Sequence, residues 1–458
     1  MFETVAIPVW AMLLFGLFAA LSILERVIGP SIRWFFRKRA ERVVAELNKR
    51  LERPIEPFKL ARRHDMIQRL KHDPEVALAI VEHAKNEGVP EQVAWKKAER
   101  YAREIVPSFS ATAYFGFGTR LSKWVSEALF HIRLGPGNDT VMDSIDPEAT
   151  VVFVMNHRSN MDYLLVTWLA AKRSALSYAV GEWARIWPLS GLIRTMGAFF
   201  IRRRSRNPLY RRVLARYVQL ATTGGVAQAV FPEGGLSLDG RLAGLKLGFL
   251  NYIVTGHQPD GRDVVFVPIA LNYDRVLEDR VLIAADAAGE RKFRASFPTA
   301  IRFAFRQIGL KIRGRFLKYG EAAVSYGEPL SLSEFTRDHS QNTTKHLGVA
   351  LSKRLTAIIP VLPVPLIASL LEDADGPLEA ASLKAKFDER HASLVQSEAR
   401  VLISDDNLDT EFERGLAILK RRRLVEGTDA GLTATQGESA ILAFYANSIR
   451  HLIDKSEA

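Results

Sequence analysis

The chain has 458 residues, of which 48% are hydrophobic and 25% charged, a composition typical of folded rather than disordered proteins. It contains no cysteine, which excludes disulfides, thiolate zinc sites and cysteine nucleophiles. The net charge of +12 favours nucleic acid, an anionic membrane surface or a phosphorylated substrate as the binding partner.

The N-terminal segment favours the membrane among these partners. Residues 5–24, VAIPVWAMLLFGLFAALSIL, carry no charge and are about long enough to cross a hydrocarbon core as a helix. Basic residues begin at Arg26, which places the bulk of the chain in the cytoplasm by the positive-inside rule. We therefore predict a single membrane anchor with a basic juxtamembrane segment over residues 1–42. A core helix or a cleaved signal peptide is the alternative.

Residues 43–130 are predicted to form a helical cap region before the main domain. Asp73 followed by Pro74 is typical of a helix start, and Gly88 is typical of its end. A second helix begins near Pro90 and has its apolar residues on one face, namely Ala94, Ala98, Tyr101 and Ile105.

Residues 131–340 alternate between apolar strands and helices. The predicted strands are residues 150–156, 176–181, 226–231 and 263–273. Continuous apolar strands separated by helices are typical of parallel sheets covered on both faces. We therefore predict an α/β domain with a mostly parallel central sheet and flanking helices. Ligands of such sheets bind beyond the carboxyl ends of the strands.

Two further helical segments are predicted. Residues 292–316 are basic and amphipathic, which fits either a membrane-facing helix or a surface helix packed on the core. The chain is again helical after residue 340, with a proline-rich break at residues 358–366. Residues 341–458 are therefore predicted to form a helical C-terminal region.

Four polar clusters follow predicted strands, and the first is VMNHRSNMDY, residues 155–164. The strand ends near Asn156, so His157 lies at the carboxyl edge of the sheet and Asp162 in the first turn of the next helix. A carboxylate there could accept a ring N–H and orient the imidazole, so that the other ring nitrogen takes a proton from a hydroxyl. The alternative is a helix-capping carboxylate beside an unrelated surface histidine.

The second and third clusters contain features of anion binding. GAFFIRRRSR, residues 197–206, places arginines after an apolar strand, and guanidinium groups bind phosphate bidentately. FPEGGLSLDG, residues 231–240, has paired glycines whose N–H groups could approach an anion, but it lacks the lysine of a P-loop. A solvated charge run and an ordinary turn are the respective alternatives.

The fourth cluster, VPIALNYDRVLED at residues 267–279, suggests a further wall of the same site. Other kinds of active site are not indicated. The sequence has no G-x-S-x-G nucleophile elbow, no H-E-x-x-H metal motif and no dinucleotide fingerprint after a strand. We therefore expect neither a metal nor a cofactor.

Taken together and in this order, the four clusters resemble the motif blocks of the glycerolipid acyltransferases, which read H-x-x-x-x-D, G-x-F-F-I-R-R, F-x-E-G-G and V-P-I. HRSNMDY, GAFFIRR and NYDRVLE are most similar to the sn-glycerol-3-phosphate and dihydroxyacetone-phosphate acyltransferase branch. YGEPLSLSEF (326–335) and AFYANSIRHL (443–452) are also similar to that branch. The resemblance spans roughly residues 90–458.

The resemblance implies roles for individual residues. His157 would be the general base and Asp162 its orienting partner, with no covalent acyl-enzyme. Arg202, with Arg158 and Arg203, would hold the substrate phosphate. Four other residues would shape or line the acceptor pocket, namely Glu233, Gly234, Pro268 and Tyr273. Many family members have an arginine after E-G-G, where this chain has Leu236, and Arg241 or Lys246 could take its place.

The function that the resemblance implies is a glycerol-3-phosphate 1-O-acyltransferase of the inner (cytoplasmic) membrane, with its catalytic domain facing the cytoplasm. Its expected partners are membrane lipids, glycerol-3-phosphate and an acyl donor, either acyl-CoA or acyl carrier protein. One alternative is a 1-acylglycerol-3-phosphate acyltransferase that makes phosphatidate. Another is a non-catalytic lipid-binding or scaffold protein on the same fold. Nucleic acid is not an expected partner, because no binding module is recognisable.

Overall fold

The computed structural model describes residues 8–171, 173–181, 189–202, 205–289 and 318–457, excepting the side chains of residues 20–37, 40 and 455–457. The chain divides into two compact units, Met1–Pro54 and Ile55–Ala458.

The first unit contains one long helix, Val9–Asn48, which begins directly after Pro8. Proline is tolerated there because the first N–H groups of a helix have no intrahelical acceptor. Within the described residues, no helix is both long enough and apolar enough to span a bilayer. The predicted span, residues 5–24, lies partly outside the described residues, so the membrane anchor stays a prediction.

The second unit is built on an eight-stranded sheet. Its strands are β1 (His131–Leu134), β2 (Thr150–Met155), β3 (Ser177–Val180), β4 (Phe199–Phe200), β5 (Gln228–Val230), β6 (Val264–Tyr273), β7 (Glu321–Tyr326) and β8 (Leu330–Ser331). Their order in the sheet is β1-β7-β6-β2-β5-β3-β4, and β8 also pairs with β6. β6, β2, β5, β3 and β4 run parallel, whereas β7 and β8 run antiparallel to β6. β1 is parallel to β7. The predicted α/β class with a mostly parallel central sheet is therefore confirmed.

The two central strands show why this sheet forms. Every residue of β2, TVVFVM, and of β6, VVFVPIALNY, is buried. Such runs of Val, Ile and Phe suit a pleated surface covered on both faces. Pro268 lies where the neighbouring chain leaves β7 at Tyr326 and pairs again as β8 at Leu330. Its carbonyl accepts a hydrogen bond from Gly327 in that gap, so the proline interrupts no regular pairing there.

Helices cover the sheet and form most of the rest of the second unit. Within the described residues they are Pro57–Leu60, Arg63–Lys71, Pro74–Glu87, Glu91–Ile105, the π-helix Thr112–Gly118, Thr119–Leu129, Asn138–Asp143, Met161–Ala170, Leu189–Thr195, Pro208–Thr223, Gly248–Gly256, Asp279–Ala287, Leu332–Asp338, Thr343–Ala357, Pro363–Glu372, Ala380–Gln396, the 3-10 turn Asp405–Asn407, Leu408–Arg421, Ser439–Ala446 and Arg450–Glu457. The predicted helix ends near residue 73 and residue 88 agree with the structure. Asp73 caps the N–H groups of Glu75 and Val76, and Gly88 takes the left-handed conformation at the other end.

The C-terminal region is not entirely helical. Val425–Thr428 (β9) and Gly431–Ala434 (β10) form a small antiparallel pair. The predicted helical cap shares one hydrophobic core with the sheet, because Ile80 and Ala98 belong to the same buried cluster as Val152 and Phe199. The predicted boundaries at residues 130 and 340 therefore fall inside one compact unit. The amphipathic segment 292–316 lies outside the described residues.

Candidate active site

The connection after β2 brings the predicted imidazole and carboxylate together. β2 ends at Met155 and the next helix begins at Met161, so His157 and Asp162 flank a short turn. The Nδ1 atom of His157 lies 2.9 Å from Oδ2 of Asp162. Both side chains are buried, with His157 only 2% exposed. Because β2, β3, β4, β5 and β6 are parallel, this turn lies at the edge where their carboxyl ends meet.

The Asp162 carboxylate is held on both of its oxygens. Besides the imidazole, Oδ2 accepts hydrogen bonds from the backbone N–H groups of Arg158 at 2.8 Å and Ser159 at 3.0 Å. Oδ1 accepts from the Tyr273 hydroxyl at 2.6 Å. The carboxylate therefore both caps the turn and orients the ring. This geometry assigns the ring proton to Nδ1, and hence Nε2 as the atom that would accept a substrate proton.

Aromatic rings fix the plane of the imidazole. The ring of Phe231, directly after β5, stacks on His157 with centroids 4.1 Å apart and planes 23° apart. Tyr163 meets it edge-on, with centroids 5.4 Å apart and an interplanar angle of 88°. Rotation of the ring would break these contacts and the bond to Asp162 together. The imidazole is therefore preorganised by packing as well as by hydrogen bonding.

The glutamate of the third cluster acts on the backbone of the first. Glu233 accepts hydrogen bonds from the N–H of His157 at 2.7 Å and from the N–H of Ala243 at 2.8 Å. Burial raises the pKa of this carboxyl to about 7. From the loop after β5, Glu233 therefore fixes the backbone position of His157 in the loop after β2. Whether Glu233 also shapes an acceptor pocket stays a prediction.

Gly234 allows a lysine to lie against the same loop. Its φ is +72°, a conformation that favours glycine. A Cβ atom at this position would stand 2.6 Å from Nζ of Lys246, so any side chain would displace the lysine. The structure thus brings Lys246, one of the two candidates to replace a basic residue at position 236, against the third cluster.

Arg158 is placed differently from what its predicted role requires. Its side chain is buried, with 3% exposure, and its guanidinium donates to the carbonyl of Gly240 and to Oδ1 of Asn272, the latter at 3.5 Å. The guanidinium also lies over the ring of Phe444, 5.2 Å from its centroid. Burial lowers its pKa. Phe444 of the C-terminal region covers this side of the turn. The Arg158 guanidinium therefore contacts protein groups at the place where a phosphate would have to bind it.

Arg202 lies at the predicted edge of the sheet, but three strands along from β2. Its guanidinium donates two hydrogen bonds to the Glu104 carboxylate, at 2.8 Å and 2.7 Å, and its side chain is 34% exposed. That carboxylate raises the pKa of Arg202. The rings of Tyr101 and Tyr210 lie beneath the guanidinium. Arg203 lies outside the described residues.

The two predicted residues of the fourth cluster do not form a pocket wall together. Pro268 is buried in the interior of β6, beside Val154 of β2. Tyr273, at the end of the same strand, directs its hydroxyl to Asp162. The physical reason is the length of β6, which separates the two residues by half of the strand. Of the two, only Tyr273 reaches the turn between His157 and Asp162, where its hydroxyl supports the carboxylate.

One residue that contacts the site, Glu278, was not predicted from the sequence. Glu278 accepts hydrogen bonds from the Ser159 hydroxyl at 2.8 Å and from the N–H and side-chain amide of Asn160, at 3.2 Å and 3.0 Å. It thus holds the turn between His157 and Asp162. The carboxylate ends the NYDRVLE stretch, but nothing local distinguishes it from neighbouring acids. Its partners are more than a hundred residues away in sequence.

Two family models match the chain. The acyltransferase model matches residues 138–272, which include His157, Asp162, Arg202 and Glu233. The model of the glycerol-3-phosphate acyltransferase C-terminal region matches residues 310–454. The two matches follow one another along the second compact unit.

Curated relatives named glycerol-3-phosphate acyltransferase match most of the chain. One from Pseudomonas putida (strain W619) is 27% identical over 427 residues, covering 86% of this chain and 49% of the relative. One from Aeromonas hydrophila is 31% identical over 294 residues, covering 63% of this chain and 35% of the relative. This chain spans about half the length of the Pseudomonas relatives it matches.

One solved structure that matches part of this chain is the 1-acyl-sn-glycerophosphate acyltransferase from Thermotoga maritima. It is 18% identical, has a TM-score of 0.32, and the match covers 56% of this chain and 78% of that chain. The family models and the curated relatives confirm the resemblance to the glycerolipid acyltransferases: an acyltransferase model matches the chain first, and the model of the glycerol-3-phosphate acyltransferase C-terminal region matches it next.

Proposed function

We propose that this protein is a glycerol-3-phosphate 1-O-acyltransferase, which transfers a fatty acyl group from a thioester to glycerol-3-phosphate and forms lysophosphatidate. The observation that carries the proposal is the buried His157–Asp162 pair at the carboxyl edge of the sheet, joined at 2.9 Å. The name of the curated relatives and the C-terminal family model support the choice of acceptor.

The reaction needs a base that first takes a proton and then returns it. Nε2 of His157 removes the proton of the acceptor hydroxyl while the oxygen attacks the thioester carbonyl. The tetrahedral oxyanion collapses, the C–S bond breaks, and the thiolate takes the proton from the imidazolium. Asp162 stabilises the imidazolium between these steps. A positioned base of this kind contributes about 10²–10⁴-fold to the rate.

The acceptor phosphate is assigned to Arg202. It lies at the same edge of the sheet as His157, it is one-third exposed, and it already binds a planar oxyanion through two parallel bonds. A phosphate would accept the same fork of N–H groups in place of Glu104. Arg203 is the predicted second ligand. Lys246 beside Gly234 is the third basic group that we assign to the acceptor side.

We extend the proposal to the membrane. Residues 1–42 would anchor the protein in the inner membrane with the catalytic unit in the cytoplasm, and acyl-CoA or acyl carrier protein would donate the acyl chain. Long acyl chains and the product partition into lipid, so a site at the interface shortens their path. The net charge of +12 would concentrate anionic substrates near the surface, and this effect should weaken with added salt.

The test of the proposed function is a paired-acceptor assay. The purified full chain is given glycerol-3-phosphate or lysophosphatidate, with labelled acyl-CoA and labelled acyl carrier protein in separate reactions. We expect transfer to glycerol-3-phosphate that depends on His157. A clear preference for lysophosphatidate would overturn the assigned acceptor. No transfer to either acceptor by a folded protein that binds lipid vesicles would favour the non-catalytic alternative.

A further inference from the structure

The last two residues of β6 and the segment that follows them, residues 272–279, contact the turn between His157 and Asp162, which we call the catalytic turn. Tyr273 donates to Oδ1 of Asp162 at 2.6 Å. Glu278 accepts from the hydroxyl of Ser159 and from the backbone and side chain of Asn160. We call residues 272–279 the bridge segment. On this side it fixes both the orienting carboxylate and the turn that precedes it.

The other side of the bridge segment contacts the C-terminal region. The N–H of Val276 donates to the Tyr445 hydroxyl at 3.0 Å, and that hydroxyl donates to Asp279 at 2.6 Å. The side-chain amide of Asn272 donates to Ser448 at 3.2 Å. Bridge residues that contact the catalytic turn are thus interspersed with residues that contact the C-terminal tail, residues 439–453.

The same tail contacts the catalytic turn through a second route. The guanidinium of Arg158, directly after His157, lies over the Phe444 ring and donates to the Gly240 carbonyl. Gly240 is pressed against the tail, since a Cβ atom there would lie 1.9 Å from the carbonyl oxygen of Phe444. Asn447 donates to the carbonyl of Asp239 at 2.9 Å. The tail therefore holds the third-cluster loop as well as the bridge segment.

We propose that the C-terminal tail is a positioning element of the acyltransferase site, which acts through the bridge segment to align Asp162 with His157. A hydrogen bond between carboxylate and imidazole loses strength quickly when its angle or length changes. Five of the eight bridge residues, including Tyr273 and Val276, are buried, and so are Tyr445 and Ser448 of the tail. Because a buried interior is closely packed, loss of a tail contact is expected to displace the bridge segment. The catalytic consequence, but not the geometric one, rests on the proposed function.

Tyr445→Phe is the central variant, because it removes the hydroxyl bonded to Val276 and Asp279 and leaves the ring and every charge in place. Glu278→Gln tests the other side of the bridge segment. Tyr326→Phe is the matched control, since it removes a buried tyrosine hydroxyl from β7, where the ring packs on Phe153. Circular dichroism and thermal unfolding of the full chain show that each variant is folded.

The first readout is steady-state kinetics. We expect Tyr445→Phe and Glu278→Gln each to lower kcat about 10-fold, as loss of an orienting partner typically does, while both KM values change little. We expect the double variant to lose less than the product of the two effects, because both act on one segment. Independent, multiplying effects would overturn the route through the bridge segment.

The second readout does not need turnover. The ionisation of His157 is followed by NMR of histidine-labelled protein, with His157→Ala identifying its signal. Among the described residues, the titratable and charged groups around this ring are Asp162, Tyr163, Glu233 and the adjacent Arg158. A misaligned carboxylate stabilises the imidazolium less, so we expect His157 to titrate at lower pH in Tyr445→Phe, and unchanged in Tyr326→Phe.

The two readouts separate the possible failures. Absence of turnover in the wild type with either donor would refute the proposed function, whereas the titration would still test the positioning. A His157 titration in Tyr445→Phe identical to that of the wild type would overturn the inference, even if the enzyme is active. A lower kcat with an unchanged titration would likewise reject alignment of Asp162 as the route.

Discussion

The carboxyl edge of the sheet holds two candidate functional regions that differ in how firmly their side chains are held. After β2, His157 is held by a carboxylate, by two aromatic rings and through its backbone by Glu233. After β4, Arg202 is one-third exposed and joined to a single carboxylate, that of Glu104. A base must keep its geometry throughout the reaction, whereas a phosphate ligand must exchange one anion for another. The two regions match these two requirements.

Removing the base should have the largest effect. We expect His157→Ala to lower kcat by about 10³-fold, within the range that general bases contribute, while the protein stays folded. Acyl transfer and thermal unfolding of the purified full chain measure both quantities. His339→Ala is the matched control, because that ring also stacks on a phenylalanine, Phe335, with centroids 4.2 Å apart. Wild-type turnover in His157→Ala would show that the base is wrongly assigned.

Removing the charge beside the base should have the next largest effect. We expect Asp162→Asn to lower kcat by about 10²-fold. The His157 ring and the two backbone N–H groups of the turn are donors, and the amide N–H₂ of asparagine cannot accept their hydrogen bonds as the carboxylate does. The carboxylate accepts from Arg158, Ser159 and Tyr273 in addition to His157. Denaturant titration should therefore also show a loss of about 2–4 kcal/mol in the free energy of unfolding.

Tyr273→Phe removes only one of these donors and serves as the comparison. We expect it to lower kcat by about 10-fold and the unfolding free energy by about 1–2 kcal/mol. If Tyr273→Phe were as damaging as Asp162→Asn, the contacts of the carboxylate with the turn would contribute nothing measurable.

Substitution of the exposed Arg202 should change the KM for the acceptor more than it changes kcat. We expect Arg202→Ala to raise the KM for glycerol-3-phosphate about 10-fold or more, since a charged hydrogen bond is worth about 1.5–3 kcal/mol, with a smaller change in kcat. Glu104→Gln weakens the competing ion pair and should leave that KM unchanged or lower. Initial rates over a range of glycerol-3-phosphate concentrations measure KM and kcat for each variant. A rise in KM in Glu104→Gln alone would mean that the pair, not the arginine, shapes the acceptor site.

The firmly held region around His157 includes the bridge segment. There we expect the stability of the protein to depend on pH and its activity to change least. Asp274, on the bridge segment, is buried, and burial raises its pKa from 3.8 to about 7. Because the folded pKa lies above the unfolded one, its contribution to stability is full below about pH 4 and is lost as the pH rises to about 7.

Asp274→Asn removes this titration. We expect the unfolding free energy of the wild type to fall relative to this variant between about pH 4 and pH 7, by a few kcal/mol, and then to level off. Urea unfolding across this range measures the difference. Asp260→Asn, at an exposed turn, is the control. A difference that is independent of pH would contradict the raised pKa of Asp274.

Features set by neighbouring residues were predictable from the sequence. The apolar runs of β2 and β6 became strands because they can be buried on both faces. Asp73 capped its helix as its spacing indicates. The approach of Asp162 to His157 needs only one turn of chain, five residues, so local geometry permits it.

Features set by distant residues were not predictable in the same way. β1 and β7 carry no pattern that reveals their pairing, and the reversal of β7 relative to β6 depends on the whole sheet. The burial of Arg158 depends on a tail nearly three hundred residues later in the chain, and a guanidinium suits a phosphate as well as it suits Phe444.

By itself, the sequence determined the α/β sheet, the edge at which the polar clusters gather and the pairing of an imidazole with a carboxylate, because periodicity and short spacings act locally. The tertiary structure alone decided which arginine is accessible, which tyrosine supports the carboxylate and that the C-terminal tail contacts the site. Those outcomes depend on which surfaces pack together after the chain has closed long loops, such as the one between Glu104 and Arg202, which are 98 positions apart in sequence. A hydrogen-bonding side chain fits several partners equally well until that packing selects one.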